Sequence, residues 1–147
     1  LENVMILCIS HRAKNQNHKG KKPYRMALAF LEEIGWGNRF NEEVKNLAFG
    51  ELRLLDIARA MATEPEILLL DEPFSGLDAD DSEVLAESIK RMHARGQTMV
   101  IIEHRLRDLL RLVHSVVAVV FGEKIAEGKP EAVMENESVK SAYLGSE

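Results

Sequence analysis

Two hydrophobic patterns divide the chain: apolar residues at helical spacing before Pro65, and continuous strand-length runs interleaved with helices after it. Residues 1–34 read as helical with a polar break from Ser10 to Pro23, where Asn15, Gln16, Asn17, His18, Lys19 and Gly20 cluster. From Tyr24 onward Ala27, Leu28, Leu31 and Ile34 share one helical face, and Gly35 and Gly37 end that helix. Trp36, between the two glycines, is expected to pack beneath this helical layer. A second amphipathic helix spans residues 51–63, with Leu54, Leu55, Ala58, Met61 and Ala62 as its apolar stripe and Arg53 and Arg59 off it.

Beyond Pro65, Ile67 to Leu70 is an unbroken apolar run closed by Asp71, the pattern of a strand buried on both faces of a parallel sheet. Asp80 with Glu83 resembles a capping box, and Leu85, Ile89 and Met92 continue a helix that closes at Gly96. Residues 98–103 read as a second buried strand, 106–113 as a further helix and 115–121 as a third strand, with Lys124 to Ala126 as the second arm of a hairpin. The first 50 residues hold no convincing strand. The whole predicts an α/β fold with a mostly parallel sheet and an N-terminal helical layer beside it.

Composition changes little in this picture. The 147 residues are 46% hydrophobic and 29% charged, as in one soluble globular domain. A net charge of −5 with interspersed signs predicts no nucleic-acid partner, and the basic cluster His18 to Lys22 lacks the interleaved aromatics of a nucleic-acid surface. Cys8 is the only cysteine, which rules out an internal disulfide or a cysteine-based zinc site and suits a buried thiol in a reducing compartment. His11, His18, His93 and His114 show no metal-ligand spacing. The longest apolar runs, 67–70 and 116–121, fall far short of the roughly 20 residues that span a bilayer. No signal peptide is evident, and the chain opens on Leu1 in mid-pattern, as it would with a natural beginning upstream, an unusual start codon or a trimmed tag alike.

Chemistry enters at Asp71-Glu72-Pro73, two consecutive carboxylates delivered at the C-terminal end of a strand, where open α/β sheets bind ligands. Nucleoside triphosphate hydrolysis needs one carboxylate to hold Mg²⁺ and another to orient or deprotonate the attacking water. Alone, such a pair is an ordinary solvated strand end. Followed by Ser75-Gly76-Leu77-Asp78, and some thirty residues later by His104 at the end of a second strand, it forms a set.

That set resembles the nucleotide-binding domains of ABC transporters, from just after their Q-loop to their C-terminus. The resemblance implies a partial P-loop NTPase-like fold, with 1–50 as a helical subdomain portion ending at the signature loop and 51–147 as the catalytic portion. It makes Asp71 the Walker B aspartate on Mg²⁺, Glu72 the catalytic glutamate and His104 the switch histidine that senses the γ-phosphate of ATP. Ser75, Gly76 and Asp78 fall in the D-loop that touches the opposite subunit. Ala48, Phe49, Gly50 and Glu51 stand at the signature, a loop opening onto a helix N-terminus that faces the partner's ATP. Ala48 replaces the family's serine, at a cost of roughly 1.5 to 3 kcal/mol in the nucleotide sandwich. Phe49 resembles the subgroup energising branched-chain amino acid importers, as do the text from Val116 to Val133 and the ending Ala142-Tyr143-Leu144-Gly145.

The implied partners are a transmembrane permease subunit and a second ATP-binding subunit, with the protein cytoplasmic and peripheral to the membrane. The phosphate-binding Gly-x-x-x-x-Gly-Lys-Ser/Thr does not occur in these residues, since Gly20-Lys21 and Gly128-Lys129 lack its other members, and Gln16 stands in the wrong place for the Q-loop. The chain alone is therefore expected to be a poor ATPase. The alternative is a non-enzymatic fragment or split half that dimerises or binds a complementary N-terminal half.

Overall fold

The computed structural model describes residues 1–14 and 22–143, residues 11–14 as backbone only. The described residues divide into two compact units, Leu1–Arg105 and Leu106–Glu147. Gln16, Gly20-Lys21, the basic cluster apart from Lys22, and the ending from Leu144 lie outside the described residues.

The first unit opens with helices α1 (Glu2–Lys14) and α2 (Pro23–Glu33), followed by α3 (Phe49–Met61), and these three pack on one another. The helix α1 runs past Ser10, where a polar break was expected, because Ser10 to Lys14 contains no glycine or proline to stop it. Val4 and Cys8 of α1, Ala27 and Leu31 of α2 and Ala58 of α3 are almost fully buried. Burial pushes the Cys8 thiol up from its ordinary value. The end of α2 follows from Gly35: its φ of 83° lets Gly35 N–H reach Glu32 O at 2.9 Å and Trp36 N–H reach Leu31 O at 2.7 Å. Trp36 is 7% exposed with the Arg39 guanidinium over its ring, so it packs as expected.

Next come strand β1 (Ile67–Asp71), helix α4 (Ala79–Ala94) and strand β2 (Thr98–Ile102), a βαβ unit in which the strands pair in parallel from Ile67↔Thr98 to Asp71↔Ile102. The cap of α4 is Asp78, whose carboxylate accepts Asp81 N–H at 2.8 Å, and not the expected Asp80. Asp78 holds the extended backbone a cap requires, whereas Asp80 is already inside the first turn. The helix α4 is joined to α2 by Arg91, which donates to the Glu33 carbonyl at 2.9 Å, and by an Arg95–Glu33 ion pair.

The expectation of strands buried on both faces is corrected. Leu68 and Leu70 face inward, but Ile67, Leu69, Val100 and Ile102 are exposed, Leu69 by 73% and Ile102 by 62%. An unbroken apolar run marks a strand suited to cover on both sides; among the described residues only one side has it.

The second unit comprises α5 (Leu106–Leu110), β3 (Val116–Val120), β4 (Glu123–Gly128), α6 (Pro130–Glu135) and α7 (Glu137–Tyr143). The strands β3 and β4 form an antiparallel hairpin as expected, longer on its second arm, with Phe121 and Gly122 at φ of 49° and 83° making the two-residue turn. The strand β3 pairs with β4 and not with the parallel pair. Ala118, Val133 and Val139 form a small core of their own, and α5 is shorter than the expected 106–113.

Candidate active site

The parallel register sets the geometry. Because Asp71 stands opposite Ile102, the residues that follow each strand emerge side by side: Glu72 N–H donates to Ile102 O at 2.8 Å, extending the ladder by one bond. Asp71 shares the exposed face of β1 with Ile67 and Leu69. Glu72 then enters the left-handed region with φ of 43°, a conformation seldom taken by a residue with a long side chain. This turns its carboxylate toward the end of β2, where Glu72 Oε1 lies 3.5 Å from His104 Nδ1. Both side chains reach solvent, at 51% and 63% exposure, so an incoming ligand can meet them.

A residue passed over in the sequence holds this arrangement. The side chain of Glu103 is fully buried. Its Oε1 accepts Phe74 N–H at 3.1 Å, and its Oε2 accepts the N–H groups of His104 and Arg105 at 2.8 and 2.9 Å. Arg105 completes the tie by donating from Nη1 to the carbonyls of Phe74 at 2.7 Å and Leu77 at 3.3 Å. The only sequence signal is an acid immediately before His104, closing the apolar run of residues 98–103.

The residues expected at the signature and the D-loop form a second grouping. Ala48 precedes α3 in extended conformation, and Glu51, in the first turn, accepts Ala48 N–H at 2.8 Å while pairing with Arg39. Ala48 has no oxygen to return, so only half of a capping box exists. The Arg39 hydrogen bond first, then the Ala48 N–H, hold the Glu51 carboxyl below its usual range. A side chain on Gly76, at φ of 75°, would approach the Phe49 ring to 3.0 Å, and one on Gly50 would collide with the Asp81 carboxylate. Phe49 is 54% exposed, with Arg53 over its ring at 5.3 Å. The start of α3 and the 75–78 turn are thus in direct contact. Desolvation, then Asp78, Glu51 and Asp80, push the Asp81 carboxyl upward.

The family model described as ABC transporter matches residues 5–75, and that for the branched-chain amino acid ATP-binding cassette transporter matches 123–147. The high-affinity branched-chain amino acid transport ATP-binding protein LivG of Escherichia coli is 38% identical over 120 residues, 81% of this chain and 47% of that protein. The chain belongs to the ATP-binding family of ABC transporters. Another member, the BraF protein of Pseudomonas aeruginosa with the same transport description, is 35% identical over 81% of this chain and 47% of its own length. The Nod factor export ATP-binding protein I of Cupriavidus pinatubonensis is 34% identical over 77% of this chain. A solved ATP-binding cassette of an ABC transporter in its ADP conformation superposes with a TM-score of 0.74 at 27% identity, covering 83% of this chain and 50% of that one. The α/β architecture is therefore that of the family's P-loop NTPase fold. The chain spans about half the length of the curated relatives it matches. Among the described residues no helix is long and apolar enough to cross a membrane.

Proposed function

We propose that the chain is the metal-facing, water-activating and partner-facing portion of an ATPase subunit that drives import of a branched-chain amino acid or a related small solute. The convergence of Glu72 and His104 at adjacent strand ends carries this reading. Glu72 orients the attacking water and takes its proton, and His104 reads the γ-phosphate beside it. Asp71 fits Mg²⁺, which asks for one or two exposed carboxylates and completes its shell with phosphate and water, and not for a cage of protein ligands. Once bound, Mg²⁺ neutralises charge developing on the phosphates. The first turn of α3, with Phe49, Gly50 and Glu51, faces the ATP of a second ATP-binding subunit, while Ser75, Gly76 and Asp78 lie against that subunit. In this division residues 1–50 belong to the helical subdomain that meets a transmembrane permease, and 51–147 to the catalytic portion. The protein then sits at the cytoplasmic face of the membrane through that permease, with no nucleic acid involved.

These residues do not provide a phosphate cradle, so ATP is gripped only together with polypeptide beyond the 147 residues. Mg-ATP turnover by the chain alone should be negligible, and turnover after adding an N-terminal half from a relative should vanish in Glu72→Gln. Substantial turnover by the chain alone, lost in Glu72→Gln, would overturn the need for a second segment. Complemented turnover indifferent to Glu72→Gln would overturn the assignment of Glu72.

One observation favours a second reading, a non-enzymatic half that works by association: the bare apolar face of Ile67, Leu69, Val100 and Ile102. It predicts dimers or a stable complex with such an N-terminal half. A lone monomer at micromolar concentration by light scattering, even with that half present, would count against it.

A further inference from the structure

We propose that Glu103 is a positioning residue which, through a clasp shared with Arg105, couples the turn at 74–77 to the loop carrying His104. The inference rests on the reading of Glu72 and His104 given above. A carboxylate with no solvent exposure is costly to bury unless its lone pairs are satisfied, and here three backbone N–H groups satisfy them. Those donors come from two different loops: Phe74 lies two residues beyond Glu72, and His104 and Arg105 follow β2. The Arg105 guanidinium binds the same first loop through the Phe74 and Leu77 carbonyls. Movement of the 75–78 turn therefore pulls on Phe74 and Leu77, and the clasp passes that displacement to the backbone of His104. A subunit pressing on the D-loop would in this way reset the histidine beside Glu72 without touching it.

The bonding chemistry makes Glu103→Gln the informative variant. A glutamine keeps the size but offers one acceptor oxygen, and its amide NH₂ must face N–H donors on the other side. Amide hydrogen exchange in the unmodified 147-residue chain should show Phe74, His104 and Arg105 opening together, with protection factors within about threefold of one another. In Glu103→Gln at least one of the two donor groups should exchange ten times faster or more.

Coupling itself is read with Gly76→Ala, which disturbs the 75–78 turn because of its left-handed φ and its approach to Phe49. In the unmodified background this substitution should shift the amide resonances of His104 and Arg105. In Glu103→Gln the transmitted shift should fall at least threefold. Independent exchange of the three amides, or a transmitted shift of equal size in both backgrounds, would overturn the clasp. If Glu103→Gln fails to fold, the exchange rates of the unmodified chain decide alone. None of these readouts uses nucleotide, so failed ATP chemistry leaves the coupling result standing, and lost coupling leaves the family reading untouched.

Discussion

The two groupings that face the proposed chemistry are each organised by a glutamate, and the two glutamates differ in their surroundings. Glu103 is sealed from solvent and binds three N–H groups from two loops. Glu51 reaches solvent, binds one N–H and is steadied by Arg39, itself 45% exposed. An exposed ion pair is worth about 0–1 kcal/mol, whereas stripping a buried donor of its acceptor costs about 1–3 kcal/mol. The corner of Glu72 and His104 is thus tied more firmly than the start of α3.

Four substitutions test that contrast, from large to small. Phe74→Ala, at a ring with no exposed surface, should cost about 3–5 kcal/mol in urea unfolding. Glu103→Gln should cost about 1–3 kcal/mol by the same measurement, and a value near zero would erase the difference between the corners. Gly50→Ala should be about 0.5–1 kcal/mol more favourable in an Asp81→Ala background than in the parent, because helix propensity gains there without the carboxylate contact. Glu51→Gln, the same chemical change as at Glu103, should cost no more than about 1 kcal/mol. Its sign with pH follows from the lowered carboxyl: the stabilisation is present above the ordinary 4.5 and is lost as pH falls through the folded-state value. Urea midpoints taken from about pH 6 to about pH 3 should therefore converge for the parent and Glu51→Gln.

The elements themselves were legible where local pattern and local cause coincide. The apolar run ending in Asp71-Glu72, the stripe of α3 and the Gly35 stop all depend on residues a few positions apart. The cap of α4 was displaced by two residues because Asp78, Asp80 and Asp81 offer the same side chain, and only backbone conformation distinguishes them. Glu103 went unread because one of the N–H groups it binds, that of Phe74, lies 29 positions away, and an acid before a histidine looks solvated in one dimension. The bare face of β1 and β2 was misjudged for the converse reason: hydrophobicity reports what a strand is suited to, not what covers it. The contact between Phe49 and Gly76, which joins the start of α3 to the 75–78 turn, likewise depends on the third dimension alone.

The register of the parallel pair acts as a ruler. A strand advances about 3.3 Å per residue and alternates its faces, so a slip of β2 by one position would carry His104 about that far from Glu72. The same slip would send Val100 and Ile102 inward and turn Met99 and Ile101 out to solvent. The spacing of Glu72 from His104 and the choice of inward-facing residues are thus read from a single alignment, and a cross-link engineered between the ends of β1 and β2 would test both at once.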